Sequence, residues 1–357
     1  MKVFFLSALT LSLFAAEPLP IGLFPAAYNA PAAIETEHRW FFDASFLYWY
    51  VQQEGMDLAI TSTMETTGAN VLLLAADSVP LFQSFQYSPA FRVGTGFRFG
   101  SDQWLLSADY TRLRQKTQTS SRAFASDLSP GTGVGEWVMT GWYLQTATSS
   151  GQSLAASQVN SKWVFGFDLF NLCLSRPYYE GYRLTLTPSF GLQGALIREQ
   201  MHITARIMNA TPPQQPVVSA NLSQSWGLGP TGALQSQWLL GYGLRLEADC
   251  SASFLFTQYN KVSHREDPGN LGDTQVGASL SYYNCLRSLA QGGLGFGWSS
   301  YWKKPSYHFD FLATYDFTIL WSQNMMRALV ELNRVGIGLT PQNLYLHGLT
   351  FSSRFDF

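Results

Sequence analysis

Residues 344–357 read LYLHGLTFSSRFDF, and the alternation is nearly unbroken. Tyr345, Leu349, Phe351, Phe355 and Phe357 share one face, while Gly348, Thr350, Ser352, Arg354 and Asp356 share the other, as the period of two in a β-strand requires. One face is oily and the other polar. A closing strand of this pattern that ends on Phe357 is the form outer-membrane β-barrels present to the machinery that assembles them, so Phe351, Phe355 and Phe357 are the candidate assembly signal. The expected address is the outer membrane of a Gram-negative bacterium.

The beginning of the chain agrees. Lys2 supplies a thin positive region, residues 3–14 an apolar one, and Ala15 and Ala16 small residues for cleavage, which predicts a signal peptide over residues 1–16. Residues 17–37 carry Pro18, Pro20, Pro25 and Pro31 among alanines, a composition that sustains neither helix nor strand and suits a periplasmic lead-in. Residues 38–357 remain for the barrel.

Composition narrows the class further. Charged residues are 13% of the 357-residue chain, about half the usual share, and aromatics reach 15%. No stretch approaches the ~18 apolar residues of a membrane helix. A chain this apolar without a spanning helix needs another way to place an oily face in lipid, and a closed barrel is the remaining solution that satisfies every backbone group. The net charge of −2 offers no basic stripe for nucleic acid. Cys173, Cys250 and Cys285 are an odd set in an oxidising compartment, none spaced as a metal pair; they read as small apolar fillers, with cross-linking between chains as the sharper alternative.

The same alternation recurs along the chain. Over residues 182–193, Tyr182, Leu184, Leu186, Pro188, Phe190 and Leu192 face one way, and Arg183, Thr185, Thr187, Ser189 and Gln193 the other. Residues 238–256 alternate for nineteen positions, longer than a globular strand of about five or six residues. Ten strands are predicted, over residues 39–54, 88–100, 104–114, 159–175, 182–198, 224–236, 238–258, 284–301, 306–320 and 343–357. Connections alternate between tight turns, at 101–103, 176–181, 235–237 and 303–305, and long loops, at 54–88, 114–159, 199–223, 259–284 and 321–343. Short turns on one side and long loops on the other is the outer-membrane arrangement, and it forces an even strand count, from ten to fourteen if the longest loop hides a further hairpin near Trp137. Against that hairpin, residues 136–145, with Trp137, Trp142 and Tyr143, are expected to fold inward or over the mouth and narrow the pore. Pro188 predicts a local bulge. A soluble β-sandwich alternates too, but strand length, scarce lysine and aromatics near strand ends, such as Trp40, Tyr48, Trp104, Tyr110, Trp238, Tyr307, Tyr315 and Trp321, favour a barrel with interfacial girdles.

These segments resemble a known family. WFFDASFLYWYVQQEG, SKWVFGFDLFNLCLSRPYYEGYRLTLTPSFGLQGALIREQ, WGLGPTGALQSQWLLGYGLRLEADCSASFL and NLYLHGLTFSSRFDF, in that order, are similar to the pore-forming outer-membrane proteins of the Legionella and chlamydial major-outer-membrane-protein-like type. The resemblance implies a porin and no catalytic residues or cofactors. Residues 70–86 and 115–158 match nothing in the family, so no contact is carried over for them.

With the oily faces toward lipid, the opposite faces line the lumen. Arg92, Arg98, Asp109, Arg183, Arg245, Glu247, Asp249 and Asp310 are the candidate pore-lining residues, with Arg245, Glu247 and Asp249 forming a stripe on one strand. Neither sign dominates in this inventory, which predicts passage of small hydrophilic solutes and ions without strong charge selection. The bland alternative is that these charges brace the inner wall. A structural or adhesive surface barrel acting through its loops is the rival function, and its sign would be a plugged lumen. An enzymatic barrel is a weaker rival: only His308 with Asp310 resembles an acid or base pair, and no metal-spaced cluster or phosphate loop is present. The expected partners are outer-membrane lipid, the barrel-assembly machinery, small solutes and other copies of the chain; nucleic acid and cofactors are not among them.

Overall fold

The computed structural model describes residues 39–63, 66–67, 71–72, 78–99, 104–122, 136–143, 156–180, 183–207, 216–267, 276–302, 307–335 and 341–357. The predicted signal peptide and lead-in lie outside these residues.

Ten antiparallel strands form the wall: β1 Arg39–Gln53, β2 Tyr87–Arg98, β3 Leu105–Arg122, β4 Ala156–Ser175, β5 Leu184–Ile207, β6 Val217–Gly241, β7 Leu244–Asp267, β8 Val276–Trp302, β9 Tyr307–Asn324 and β10 Gln342–Asp356. Each pairs with its neighbours in sequence, and β10 returns to β1 from Phe41↔Asp356 to Gln53↔Leu344, so the sheet closes on itself. Closure leaves no sheet edge in lipid. The predicted count of ten holds, and residues 136–139, where an extra wall hairpin was considered, lie in an inserted layer instead.

Outward positions are oily within a band and inward positions are not. Trp40, Phe42, Phe46 and Tyr48 on β1 and Tyr307, Phe311, Tyr315 and Phe317 on β9 are exposed on the outer face. From Trp40 to Tyr48 the strand climbs about 26 Å, and with a tilt of 35–45° that is roughly 20 Å across the membrane, close to the height of an outer-membrane apolar band. Trp40, Trp238, Trp298, Tyr307 and Phe357 mark the periplasmic end of the band; Tyr48, Tyr87 and Tyr315 mark the outer end.

Several boundaries differ from the sequence expectation. The turn expected at residues 235–237 lies at Tyr242 and Gly243, where both residues have positive φ (53° and 79°) as a two-residue hairpin turn demands. Alternation ran unbroken through it because Leu240, Tyr242 and Leu244 all project outward, which hid the break. Residues 199–223 and 259–284, expected as long loops, are mostly strand: β5 runs to Ile207, β6 starts at Val217, β7 runs to Asp267 and β8 starts at Val276. Above the apolar band the outer face has no lipid to meet, so polar residues occupy both faces and the period disappears. Pro188 causes no bulge. Its carbonyl accepts from the Arg176 amide, so its missing N–H points to the end of β4, and pairing to β6 continues unshifted through Pro188↔Leu234.

The register sets the cost of charge on each face. Leu244 is the first residue of β7, beside the turn, whereas Cys250 is exposed to lipid near mid-band and Ser251 faces the lumen. Cys250→Arg is expected to lose about 2–4 kcal/mol of folding free energy, Leu244→Arg about 1 kcal/mol or less, and Ser251→Arg to fold as the parent does. Urea titration of barrels in lipid vesicles reads all three; equal losses at Cys250 and Ser251 would mean that the inside and outside assignment is off by one residue.

Candidate functional site in the lumen

The interior has two zones. The periplasmic half holds a cavity of about 370 Å³ lined largely by polar side chains from all around the wall. Seven carboxylates reach it, those of Asp43, Asp109, Glu247, Asp249, Asp310, Asp316 and Asp356, against the guanidinium groups of Arg92, Arg245 and Arg354. The expected balance of signs therefore fails, and for a geometric reason. Arg98 is buried at the periplasmic end of β2 and Arg183 is exposed beside the β4–β5 turn, so neither lines the cavity and both drop out of the cationic count.

Arg245 organises one side. Its Nε donates to Glu247 at 3.0 Å and its NH2 group to Asp310 at 2.8 Å, while Gln235 and Gln237 donate to the same Glu247 at 2.5 and 3.1 Å. The guanidinium fits because Gly297 lies opposite; a Cβ there would stand 2.6 Å from Arg245 Cζ. With both partners buried and hydrogen-bonded, this is a braced ion pair that holds β6, β7 and β9 together, and truncating either partner strands a charge. The predicted stripe of Arg245, Glu247 and Asp249 thus divides. Asp249 stands apart, two strands from Asp316 in the row Asp249↔Gly293↔Asp316. An equivalent row, Asp43↔Gly94↔Asp109, lies on β1 to β3.

The proposed acid–base pair does not form as expected. Asp310 is taken by Arg245, and the His308 ring bonds Asp356 Oδ2 at 2.9 Å, with Arg354 donating to the same carboxylate at 2.6 Å. Residues two apart on a strand look into the same space, but here the closer partners come from other strands, Asp356 on adjacent β10 and Arg245 across β8. The Arg354 guanidinium also sits 3.8 Å above the Phe41 ring. On the far wall Asn171 donates to Asp109 at 2.9 Å and Gln193 bridges to Asn171 and Gln291 at 2.7 and 2.9 Å, so amides span the floor where charges are sparse.

The outer half is filled and apolar; residues 136–143 turn inward, as their aromatics led one to expect, but the rest of the filling was not anticipated from the sequence. Leu47 and Val51 on β1, Leu113 on β3, and Trp163, Phe165 and Phe167 on β4 all point inward and are fully buried. They meet residues 56–63, 79–86 and 136–143 and helix α1 Met325–Val335 in one apolar cluster. Strands Asp57–Thr63, Val79–Phe82 and Glu136–Met139 form an inserted sheet joined to β4 by Val138↔Ala156. Trp142 is completely buried and its indole donates to Asp57 O at 2.7 Å. Burial holds the Tyr143 phenol above its usual range, so it stays protonated and donates to Val217 O at 2.8 Å. The α1 N-terminus is capped by Asn324, whose side chain accepts from the Arg327 amide at 3.1 Å. Arg327 then ties the inserted pieces, donating to Asp57 at 2.9 Å, Glu331 at 3.0 Å and Gly141 O at 3.3 Å over the Trp142 ring. Apolar residues on both faces of β4, and the aromatic residues within 136–145, are the sequence signals that pointed to this packing: Phe170 and Leu172 face lipid while Trp163, Phe165 and Phe167 face the insert.

Trp49 marks the boundary between the zones. Its ring lines the cavity, its indole donates to Thr350 at 3.1 Å, and Arg92 lies 5.9 Å from its centroid.

Solved barrels with similar folds include a FadL homologue of Pseudomonas aeruginosa, 9% identical over 90% of each chain with a TM-score of 0.23. The toluene transporter TodX of Pseudomonas putida is 6% identical over 93% of this chain and 92% of its own, with a TM-score of 0.22. An anion-selective porin from Comamonas acidovorans is 10% identical over 90% of this chain and 99% of its own, with a TM-score of 0.20. At scores this low none of them bears on what the lumen passes. No curated protein matches the chain. The model of the family described as Legionella pneumophila major outer membrane protein precursor matches residues 32–357. With a closed ten-stranded wall banded for lipid and a match over nearly its whole length, the chain belongs to this major outer membrane protein family and resides in the outer membrane of a Gram-negative bacterium.

Proposed function

We propose that the barrel is a porin whose polar inner vestibule passes small hydrophilic solutes and ions, with the inserted segments setting its narrowest section. The observation that carries this reading is the polar cavity of about 370 Å³ in the periplasmic half of the lumen. Four of the seven lumen carboxylates, those of Asp43, Asp109, Asp249 and Asp316, stand outside the Arg245 and Arg354 pairs, and a barrel built only as a surface scaffold gains nothing from them. The excess of the seven over three arginines favours cations. In this reading the barrel is not an enzyme: Asp310 is held by Arg245, and the His308 ring is hydrogen-bonded to Asp356. A structural or adhesive role is the second reading, and the apolar filling of the outer half is the observation that favours it.

Planar-bilayer recording of the folded protein separates the two. Stepwise currents in simple salt are expected, and silence over many insertions would favour the scaffold. Excising residues 135–145 removes Trp142 and Tyr143 from the insert and is expected to raise single-channel conductance; an unchanged value in a folded variant would move the constriction to the wall around Arg92 and Arg245.

Selectivity gives a separate reading. Asp249→Asn with Asp316→Asn is expected to lower the cation-to-anion permeability ratio measured from reversal potentials, while leaving the Arg245 pair and the fold in place. A ratio indifferent to both substitutions would remove the acidic rows from the permeation path.

We infer in addition that the closing strand is read by the barrel-assembly machinery. Phe351 and Phe357 are exposed on the outer face and Phe357 exchanges backbone bonds with Trp40 at 3.0 Å in both directions. Phe357→Ser is expected to lower the folded, heat-modifiable population in membranes and to leave the conductance of the remaining channels normal. Unchanged folded levels would count against the signal.

A further inference from the structure

One outer wall carries a charge pattern that neither permeation nor assembly uses. On β3 the outward residues are apolar up to Tyr110 and then turn basic, with Arg112, Arg114 and Lys116 all exposed. Lys162 on β4 and Arg198 on β5 are exposed on the same side, and the register aligns them: Arg114↔Gly166↔Arg198 form one row and Gln118↔Lys162↔His202 a row about 13 Å further out. Arg114 and Arg198 are two strands apart, about 10 Å between backbones, so their long side chains can close on one tetrahedral anion from both sides. Among the described outward residues of these three strands the only carboxylate is Asp168, and it is already committed, accepting from Tyr110 at 2.7 Å and Arg114 at 2.5 Å. That contact, with Arg114 NH1 donating to Leu113 O and Phe167 O, fixes the guanidinium against the wall while 41% of its side chain stays exposed.

The height of the patch matters. Directly beneath it Tyr110 and Phe170 stack at 4.6 Å, and Leu172 and Phe190 lie further down the same face. The apolar band thus ends at Tyr110, and the cations begin within one or two strand residues of it, at the level of lipid headgroups in the outer leaflet. Above the basic rows lies a groove of about 390 Å³ lined by Gln118, Ser120, Asn160, Lys162, His202 and Thr204, amide and hydroxyl groups of the kind that bond sugar hydroxyls. On β9 the outward residues near this height are Tyr315, Phe317 and Trp321, so the basic face is one-sided.

We propose that the outer face of β3, β4 and β5 is a binding site for a phosphorylated glycolipid of the outer leaflet, of the lipopolysaccharide class. The acyl chains lie on the band around Tyr110, Phe170 and Leu172, the phosphates meet Arg112, Arg114, Lys116 and Arg198, and the sugars reach the groove at Lys162 and His202. One guanidinium held against the wall, that of Arg114, further exposed cations on the same face, and an apolar belt beneath make this a phosphate site rather than a diffuse basic surface.

The test uses the full barrel, folded in detergent, with fluorescent bisphosphorylated lipid A as probe. Replacing Arg112, Lys116, Lys162 and Arg198 together with Gln is expected to weaken binding by roughly tenfold or more, and the loss should shrink as salt rises. Lys261→Gln with Arg265→Gln on β7 removes charge elsewhere and is expected to bind as the parent does. Heat-modifiable mobility checks folding; if the fourfold variant does not fold, Lys116→Gln with Lys162→Gln carries the same comparison. Dephosphorylated lipid A should bind the parent no better than the variant binds the intact lipid. Equal binding by parent and variant, equal binding of the dephosphorylated glycolipid, or equal affinity for phosphatidylglycerol vesicles would each overturn the site.

Discussion

Every other feature depends on the seam between β1 and β10. In hydrocarbon an unpaired backbone group costs several kcal/mol, so a wall of strands is viable in a membrane only when its first and last members bond each other. Here they do so over thirteen consecutive residue pairs, from Phe41↔Asp356 to Gln53↔Leu344, without a register shift. That register also decides which side chains enter the lumen. Asp356, Arg354 and Thr350 point inward only because Phe351, Leu349 and Phe357 point outward, and a slip of one residue would exchange the two sets. The cavity's charges are thus a consequence of how the ring is closed.

Inside the ring most of the charge lies toward the periplasm and most of the oil toward the outside. The ion pairs of Arg245 and of Asp356 lie in the periplasmic half, where the cavity keeps water within reach, and the fully buried Trp142, Trp163, Phe165 and Phe167 lie in the outer half. The polar groups that do enter the outer half are bonded ones, His264 to Glu266 at 2.8 Å and Arg327 to Asp57 at 2.9 Å, since an ionisable group enclosed by apolar side chains without a partner is costly. Trp49 joins the zones because an indole has one polar atom and a large apolar body: the N–H satisfies Thr350 while the ring closes the apolar cluster.

Much of the wall was legible in the sequence, and the reason is lipid. Where β1, β7, β9 and β10 cross the band, hydrocarbon demands an apolar residue at every second position, and Phe42, Phe46, Phe254, Phe311 and Phe351 print that demand in the sequence. Where β3 continues past Tyr110 the demand ends, so Arg114, Lys116 and Gln118 outside and Gln115 and Thr117 inside show no contrast, although the ladder to β4 is intact to Arg122. The site was half legible. Parity placed Arg92, Asp109, Arg245, Glu247, Asp249 and Asp310 on the inner face, but partners across strands follow from register and side-chain reach: register sets His308 beside Asp356, and Arg245 reaches across β8 to Asp310. The insert was hidden for another reason: Leu58, Val138 and Met326 bury themselves against the wall with no period that distinguishes them from ordinary loop residues.

The insert is held in two parts, and their attachments determine how it can come apart. The sheet part is bonded to β3 through Gln83 and Thr117 at 3.0 Å and Ser84 and Thr119 at 2.8 Å, and to β6 through Trp142 O and Ser219 at 3.1 Å. The helix part is bonded to the opposite wall, where Gln323, just before α1, accepts from Tyr259 on β7 at 3.1 Å and Arg287 on β8 donates to Met325 at 3.4 Å. Between the two parts the polar connections run through Arg327 to Asp57 and Gly141 and through Asn324 to Glu54 O at 2.7 Å. Separating the sheet from the helix therefore breaks a handful of polar contacts and the apolar packing around Trp142, and leaves each part seated on its own strands. Removing either part from the wall breaks its ladder or its anchors as well. Of the two routes to a wider lumen, parting along the line of Arg327 disturbs fewer bonds.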